Sequence, residues 1–227
     1  MDDLYSRSVT YYCERTDIRF YSEPLNALSN ISFFISAILV YRLLKKKNAN
    51  AYYYRFLPYL LLFIGTGSLL WHSFRNPFTL VLDAIPIWIF FLLIVFILIY
   101  KLAGSKNTAT IILTSYFFLQ VLTSYAFPDF FNGSIRHVVN GVAFVGIIAW
   151  VYKKYAHVSG NLIAAFLLYI LAIVFRSIDN AVCAYLTVGT HFLWHILNAI
   201  AAYLAIKVLL DIDLLENKSS SRILKKS

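Results

Sequence analysis

The chain has 227 residues, of which 60% are hydrophobic and only 14% are charged, and its formal net charge is +9. Soluble domains carry about 25% charged residues, so the composition excludes an ordinary soluble domain and is typical of an integral membrane protein. The positive charge does not indicate nucleic-acid binding, because the lysines fall in short clusters between apolar runs instead of along one basic face.

Seven apolar runs follow one another along the chain, separated by short polar or charged segments. A helix that spans a bilayer takes roughly 20 residues, so the chain has room for about seven spans. The sequence therefore predicts an all-α membrane protein, a bundle of seven transmembrane helices over residues 27–44, 56–74, 79–101, 108–127, 134–152, 162–175 and 190–210. It divides into a polar amino-terminal segment (1–26), a seven-helix domain (27–211) and a basic tail (212–227).

The distribution of basic residues predicts the orientation of the chain in the membrane. With the amino terminus outside, most lysines and arginines fall in the inner loops and in the tail, as the positive-inside rule expects. We therefore expect the amino terminus to lie outside or in a lumen and the carboxyl terminus to lie in the cytoplasm. This topology fits both a bacterial inner membrane and an endoplasmic reticulum or Golgi membrane.

Three of the five histidines are predicted to lie at one depth within the spans, where ionisable side chains are costly and usually functional. His72 is near the outer end of the second predicted helix, and His191 and His195 open the seventh. A four-residue spacing at ~1.5 Å per residue puts both imidazoles of the seventh helix on one face. Because the end of helix 2 and the start of helix 7 lie on the same side of the membrane, we expect the three histidines to meet. Three imidazoles with a fourth position open for water are typical of a catalytic zinc site.

Two polar side chains accompany these histidines at the same depth. Asp83 lies one turn into the third helix, and a carboxylate beside a metal-bound water suits a general base. Ser68, one turn before His72 on the same face, is placed to donate a hydrogen bond to an oxyanion. The segment HFLWH lacks the glutamate of the HExxH motif, so the base must come from another helix.

Other polar and aromatic residues near the helix ends allow two interpretations. Asn26 and Asn30, one turn apart in helix 1, are expected to hydrogen-bond between helices or to support the metal ligands from behind. Trp71 and Trp194 flank the expected metal ligands, although tryptophans near helix ends more often anchor the membrane interface. His137, a lone histidine near a helix end, is expected to be an interfacial side chain.

The motifs of the chain match those of a known family. They are YCE near the amino terminus, ExxNxxSN in helix 1, GxGSxxxH and LDxxP across helices 2 and 3, and HxxWH in helix 7. From Cys13 to Asn198 the chain resembles the alkaline ceramidases, within a wider group of seven-helix hydrolases that includes relatives of the adiponectin receptors. The resemblance implies that the three histidines bind zinc, and that Ser68 and Asp83 flank its water during attack on the amide carbonyl of a ceramide.

The resemblance also implies a calcium site in the amino-terminal segment. Animal members of the family bind calcium there, and Glu14 and Glu23 occupy matching positions. Tyr11 and Thr16 stand where an Asp and an Asn are expected. Calcium prefers six to eight oxygen ligands, so a calcium site in this chain requires Asp17 as a substitute ligand.

Cys13 and Cys183 are the only two cysteines, and both are predicted on the outer side. A disulfide between them resembles a bond of the family and suits an oxidising compartment; the alternative is two unpaired thiols. The bond would tether the amino-terminal segment over the metal end of the bundle.

The sequence thus favours a zinc-dependent lipid amidase, a ceramidase that splits a membrane ceramide into a sphingoid base and a fatty acid. One alternative is a hydrolase of another membrane lipid amide or ester. A second is a receptor-like seven-helix protein in which zinc is purely structural. No nucleic-acid or protein partner is implied.

Overall fold

The structure, a computed structural model, describes residues 12–17, 19–49, 52–128 and 134–224; Tyr11 lies outside the described residues. Within them every regular element is an α-helix. In chain order the helices are α1 (Pro24–Ser29), α2 (Ile31–Lys46), α3 (Tyr52–Phe74), α4 (Pro77–Ala103), α5 (Lys106–Ala126), α6 (Ile135–Lys154), α7 (Ala156–Val182) and α8 (His191–Leu224). The fold is therefore all-α, as the sequence predicts.

Helices α1 and α2 form one span, because Asn30 between them has helical dihedral angles, with φ −66° and ψ −12°. Six helices among the described residues are long and apolar enough to cross a membrane: Pro24–Lys46, Tyr53–Phe74, Pro77–Ala103, Lys106–Ala126, Ala156–Val182 and His191–Glu216. Together with α6, of 20 residues, they make the seven helices that the sequence predicts. The protein is a multi-pass membrane protein.

The outer faces of the helices carry large apolar side chains. On α5, for example, Ile111, Phe118 and Leu122 are each more than 60% exposed. Large apolar patches are unfavourable in water, whereas a helix satisfies its own backbone hydrogen bonds and is suited to hydrocarbon. These faces are therefore the ones that contact lipid.

Helix α8 is central and packs against α1, α2, α4 and α7. Its inner face has small side chains, among them Ala199, Ala202 and Ala205, which are all buried. Small residues allow helices to approach closely where lipid provides no hydrophobic driving force between them. This packing brings the first turns of α8 against the start of the first span.

Helices α3 and α4 approach each other closely at Gly67. A Cβ atom on Gly67 would overlap the carbonyl oxygen of Leu82 and would lie 3.1 Å from the amide nitrogen of Asp83. A residue without a side chain is therefore required here. The approach sets Ser68 and Asp83 on adjoining helices at the same level.

Helix α7 is longer than the sequence predicts. The prediction ended this helix at residue 175, but the helix continues to Val182. Its last turns bury two charged side chains that have partners outside the helix. Arg176 donates a hydrogen bond to the hydroxyl of Tyr12 (2.6 Å), and Asp179 accepts hydrogen bonds from backbone amides at the start of α8. These partners offset the cost of burying charge, which the composition of the segment alone does not reveal.

Helix α8 also continues past its predicted end at residue 210, as far as Leu224. Asp211 forms an ion pair with Lys47, and Asp213 forms an ion pair with Lys101. The acidic residues thus anchor the helix to its neighbours at the end of the bundle opposite the histidines. Much of the segment that the sequence assigned to a tail is therefore helical.

Candidate metal centre

The structure brings together the three histidines that the sequence singles out. His72 lies in the last turn of α3, whereas His191 begins α8 and His195 follows one turn later. Their candidate ligand atoms all lie within 4.8 Å of one another, and all three residues are buried. Among the described residues, no other three histidine, cysteine, aspartate or glutamate side chains form such a group. This cluster is the candidate metal centre.

His72 is oriented by a buried carboxylate. Its Nδ1 atom lies 2.5 Å from Oε2 of Glu23, a residue with no exposed surface. A carboxylate that accepts the Nδ1 proton of an imidazole fixes its tautomer and makes the other nitrogen a better metal ligand. Glu23 therefore leaves Nε2 of His72 as the nitrogen that can bind a metal.

His195 is oriented by a serine. The hydroxyl of Ser29 lies 2.7 Å from Nδ1 of His195, whereas the hydroxyl of Ser68 lies 3.5 Å from Nε2 of the same ring. Because Ser29 occupies Nδ1, the nitrogen available to a metal is Nε2. This nitrogen faces the side of the ring where Ser68 lies.

His191 shows most directly that the cluster fits a metal ion. Its Nδ1 atom is buried and has no hydrogen-bond partner among the described residues. A buried polar atom without a partner costs about 1–3 kcal/mol, a cost that a bound cation would remove. Three neutral imidazole nitrogens are also a donor set that zinc prefers. The residues present therefore fit zinc.

Glu23 is the centre of a buried charge cluster. In addition to His72, its carboxylate accepts hydrogen bonds from Arg15, from Arg75 (3.1 Å) and from the amide of Asn26 (3.2 Å). Burial raises the pKa of this carboxyl, but His72, Arg75 and Arg15 outweigh that effect and bring the pKa to about 2. Glu23 is therefore ionised at neutral pH.

Tyr12 covers the cluster from the amino-terminal segment. Its ring stacks on His191 with centroids 3.7 Å apart and lies 5.5 Å from the ring of His72. Arg176 donates to its hydroxyl, and the guanidinium of Arg75 lies 4.9 Å from its ring centroid. Burial is the largest influence on the phenol and raises its pKa, so Tyr12 is neutral. The segment thus closes the histidine end of the bundle.

A disulfide joins Cys13 to Cys183, with Cα atoms 5.2 Å apart, so the alternative of two free thiols is wrong. Beside it, Asp179 accepts hydrogen bonds from the backbone amides of Cys13 (3.0 Å), Thr190 (2.6 Å) and His191 (2.9 Å). The first amides of a helix have no partner within the helix and require an acceptor of this kind. Asp179 therefore fixes the start of α8 and the segment that covers it.

Ser68 lies in α3 next to the histidine cluster, and Asp83 lies in the adjoining helix α4. Ser68 is buried beside His195. Oδ1 of Asp83 is buried, and its carboxylate is close enough to Tyr12 to oppose ionisation of the phenol. Asp83 is not part of the group of atoms that can hold the metal. The role of Asp83 as a general base stays a prediction.

Asn26 and Asn30 are fully buried on the side of the first span that faces the site. The amide of Asn26 donates to Glu23, and the amide of Asn30 donates to the backbone carbonyl of Asn26 (2.9 Å). The side chain of Asn26 thus contacts Glu23, the partner of His72, whereas the side chain of Asn30 contacts only the backbone of the same helix among the hydrogen bonds of the described residues.

The three carboxylates expected to bind calcium have other partners. Glu14 accepts hydrogen bonds from backbone amides at the start of α1, including that of Leu25 (2.6 Å). Asp17 pairs with Arg19 in an exposed turn. Glu23 accepts hydrogen bonds from two arginines and from the imidazole of His72. The described residues thus give calcium binding by Glu14, Asp17 and Glu23 no support.

Two tryptophans and one histidine that the sequence related to the membrane interface face the interior instead. Trp71 and Trp194 are less than 10% exposed, and so is His137. The ring of His137 packs edge-on against Trp194 with centroids 4.5 Å apart. The interfacial interpretation of His137 is wrong because the first turn of α6 points this side chain into the bundle.

Sequence reasoning missed several residues that surround the histidines. Arg176 and Asp179 could have been found from the sequence, since charged residues that interrupt an apolar run usually mark a buried functional region. Ser29 was harder to find, although it lies one turn from Asn26 on the same helical face. Arg15 and Tyr12 could not have been found, since their positions depend on how an irregular segment folds over the bundle.

An apolar cavity lies inside the bundle, and its wall includes Trp194, the residue before His195, but none of the three histidines. Along α8 its wall follows successive turns from Trp194 to Ala205, a length of about 16 Å at ~1.5 Å per residue. Across from α8, helix α4 contributes apolar side chains at Ile87, Phe91 and Ile94. An apolar cavity with few polar groups is suited to a hydrocarbon chain.

The fold and the site together define a class of protein: a multi-pass helical membrane protein with a buried three-histidine centre and an apolar cavity inside the bundle. The chain matches the family model described as Ceramidase over residues 5–226. The protein therefore belongs to the ceramidase family, which implies a hydrolase that acts on the amide bond of ceramide. A search of curated proteins returned no match.

Proposed function

We propose that the protein is a zinc-dependent ceramidase that works within the membrane and releases a sphingoid base and a fatty acid. The observation that carries the proposal is the buried histidine cluster, in which Nδ1 of His191 has no hydrogen-bond partner among the described residues, together with an apolar cavity that begins at Trp194. Membership of the ceramidase family supports the choice of substrate.

In this proposal His72, His191 and His195 hold the zinc ion. Zinc bound by three neutral nitrogens, with one position open, lowers the pKa of a bound water to ~7 and polarises a carbonyl group. Glu23 and Ser29 keep two of the imidazoles in the orientation that this requires, through their hydrogen bonds to the Nδ1 atoms.

Asp83 is proposed to carry the proton. Hydrolysis of the amide joins the water oxygen to the carbonyl carbon and breaks the carbon–nitrogen bond, and the nitrogen must gain a proton before it leaves as an amine. A carboxylate that takes a proton from the attacking water and passes it to the nitrogen completes both transfers. The close approach at Gly67 supports this role because it sets Asp83 level with Ser68.

Ser68 is proposed to stabilise the carbonyl oxygen as it becomes negative. Its hydroxyl is buried 3.5 Å from Nε2 of His195, so it would be within reach of a carbonyl group bound at the histidine cluster. A hydrogen bond that strengthens as charge develops lowers the barrier instead of merely tightening substrate binding.

The substrate is proposed to enter from lipid and to place its acyl chain in the cavity along α8. Trp194, next to His195, lines this cavity, so the scissile amide would lie at the histidine end. We propose that this end and the amino-terminal segment face the outside or a lumen, in a bacterial inner membrane or in the endoplasmic reticulum or Golgi.

Hydrolysis of a fluorescent ceramide by the purified protein in detergent tests the proposal, with zinc counted on the same sample. We expect about one zinc per chain, loss of fatty-acid release on treatment with a chelator, and recovery when zinc is restored. Release from other lipid amides or esters but not from ceramide would change the substrate. Zinc without release from any lipid would contradict hydrolysis and favour a receptor-like protein with structural zinc.

A further inference from the structure

Arg15 occupies an unusual position for an arginine. It is 3% exposed, and its guanidinium donates hydrogen bonds in three directions. One goes to the carboxylate of Glu23, one to the backbone carbonyl of Asp17 (3.1 Å) and one to the backbone carbonyl of His72 (2.8 Å). A single buried cation thus joins the amino-terminal segment, the start of the first span and the end of α3.

These three acceptors are oxygen atoms, the kind of ligand that calcium takes. The guanidinium of Arg15 already occupies the space between them. A second guanidinium, that of Arg75, lies 3.1 Å from the same carboxylate of Glu23. A divalent cation at this place would meet two fixed positive charges, and Coulomb repulsion in a buried site is strong.

We propose that Arg15 is a built-in cation that holds the amino-terminal segment on the metal centre, so that assembly of the centre does not require calcium. Unlike a bound ion, a side-chain cation cannot dissociate, and arginine remains charged at any physiological pH. The planar fork of a guanidinium also fixes the directions of its acceptors, which a spherical ion does not.

Arg15 is a positioning residue, since it acts on the histidines through Glu23 and through the backbone of His72. Loss of its charge would leave Glu23 with fewer partners and would loosen the hydrogen bond that Nδ1 of His72 donates to Glu23. Loss of a group that orients a metal ligand typically lowers metal affinity about 10- to 100-fold. The same loss should free the amino-terminal segment that carries Tyr12.

The first test uses the protein without substitutions. Its hydrolysis measurement rests on the proposed function, whereas its measurements of melting temperature and zinc content do not. Calcium is titrated into calcium-free protein at a fixed, buffered concentration of free zinc, while melting temperature, zinc content and ceramide hydrolysis are measured. We expect none of the three to change up to millimolar calcium. A rise in melting temperature or in hydrolysis on addition of calcium would overturn the proposal.

Variants then test the cation itself. Arg15→Ala is expected to lower the melting temperature and to weaken zinc binding about 10- to 100-fold, and guanidinium ion in solution should restore part of both. Arg15→Lys keeps the positive charge but not the planar guanidinium, so it should fold and bind zinc with an affinity between those of the parent protein and Arg15→Ala. Arg19→Ala is the matched control, because Arg19 belongs to the same segment but its side chain is 60% exposed.

Equal zinc affinity and melting temperature for Arg15→Ala, Arg19→Ala and the parent protein would refute the role of Arg15. If Arg15→Ala does not fold, Arg15→Lys and the calcium titration still decide the question. Zinc affinity and melting temperature do not depend on turnover. A protein that hydrolyses no ceramide would therefore refute the proposed function while leaving the role of Arg15 testable.

Discussion

Replacement of Glu23 by glutamine tests whether a buried carboxylate organises the metal centre. Glutamine keeps the size of the side chain but loses its charge, and one of its two acceptor oxygens becomes an NH2 group, so it cannot accept hydrogen bonds from His72 and from the two arginines as the carboxylate does. The buried cations Arg15 and Arg75, which are 3% and 7% exposed, lose their counter-ion at the same time. One substitution thus disturbs both the ligand and the segment that covers it.

Two effects of different size are expected from Glu23→Gln. Removal of one partner from a buried charge pair destabilises a protein by about 3–5 kcal/mol, because the remaining charge is left uncompensated. Removal of the carboxylate that orients a zinc-binding histidine weakens metal binding about 10- to 100-fold. The stability loss should be seen even in zinc-free protein, whereas the loss in affinity is specific to the metal.

Zinc affinity is measured by competition with a chromogenic chelator, and stability by thermal unfolding in detergent with and without zinc. Asp17→Asn is the control, because Asp17 is a carboxylate of the same segment whose partner Arg19 is exposed. It should leave zinc affinity unchanged. A Glu23→Gln protein that binds zinc as tightly as the parent and melts at the same temperature would refute the assignment of Glu23.

Four further substitutions test the proposed chemistry and the packing. His195→Ala is expected to lose zinc and activity together, whereas Asp83→Asn should keep zinc and lower turnover about 10²- to 10⁴-fold. Zinc analysis and ceramide hydrolysis on the same sample check both variants. A fully active Asp83→Asn protein would contradict the role of Asp83 as proton carrier. Ser68→Ala should lower kcat about 10²- to 10³-fold with little change in KM, and a change confined to KM in steady-state assays would assign Ser68 to substrate binding instead. Gly67→Ala should lower the melting temperature by forcing α3 and α4 apart. Gly160→Ala is the control and should not lower it, because a Cβ atom there would meet nothing within 4 Å. Equal melting temperatures for the two variants would contradict the close approach of α3 and α4.

The bundle and its three histidines could be predicted from the sequence because the bilayer restricts the possible structures. Each span must be helical and about as long as the membrane is thick, so apolar runs identify the helices. Successive spans alternate in direction, which places His72 at the end of one helix on the same side as His191 and His195 at the start of another. The four-residue spacing then puts the last two on one face of α8.

The tertiary structure alone decided what supports these histidines. In the sequence Glu23 is one acidic residue of a polar segment, and its pairing with His72, Arg15 and Arg75 depends on how residues 12–17 and 19–23 lie over the bundle. That path is held by the disulfide at Cys13, which joins residues 170 positions apart. No periodicity relates an irregular segment to the helices it covers.

The lengths of α7 and α8 illustrate the same division. A local reading of polarity ended the sixth predicted helix before Arg176, because burying a charge without a partner is unfavourable. The partner is Tyr12, which is 164 residues away in the chain. Hydropathy and spacing are properties of residues close together in the chain, so the sequence by itself determines the helices and the candidate histidine ligands. Burial of a charged side chain depends on partners that are distant in the sequence. Only the packed tertiary structure brings those partners into contact.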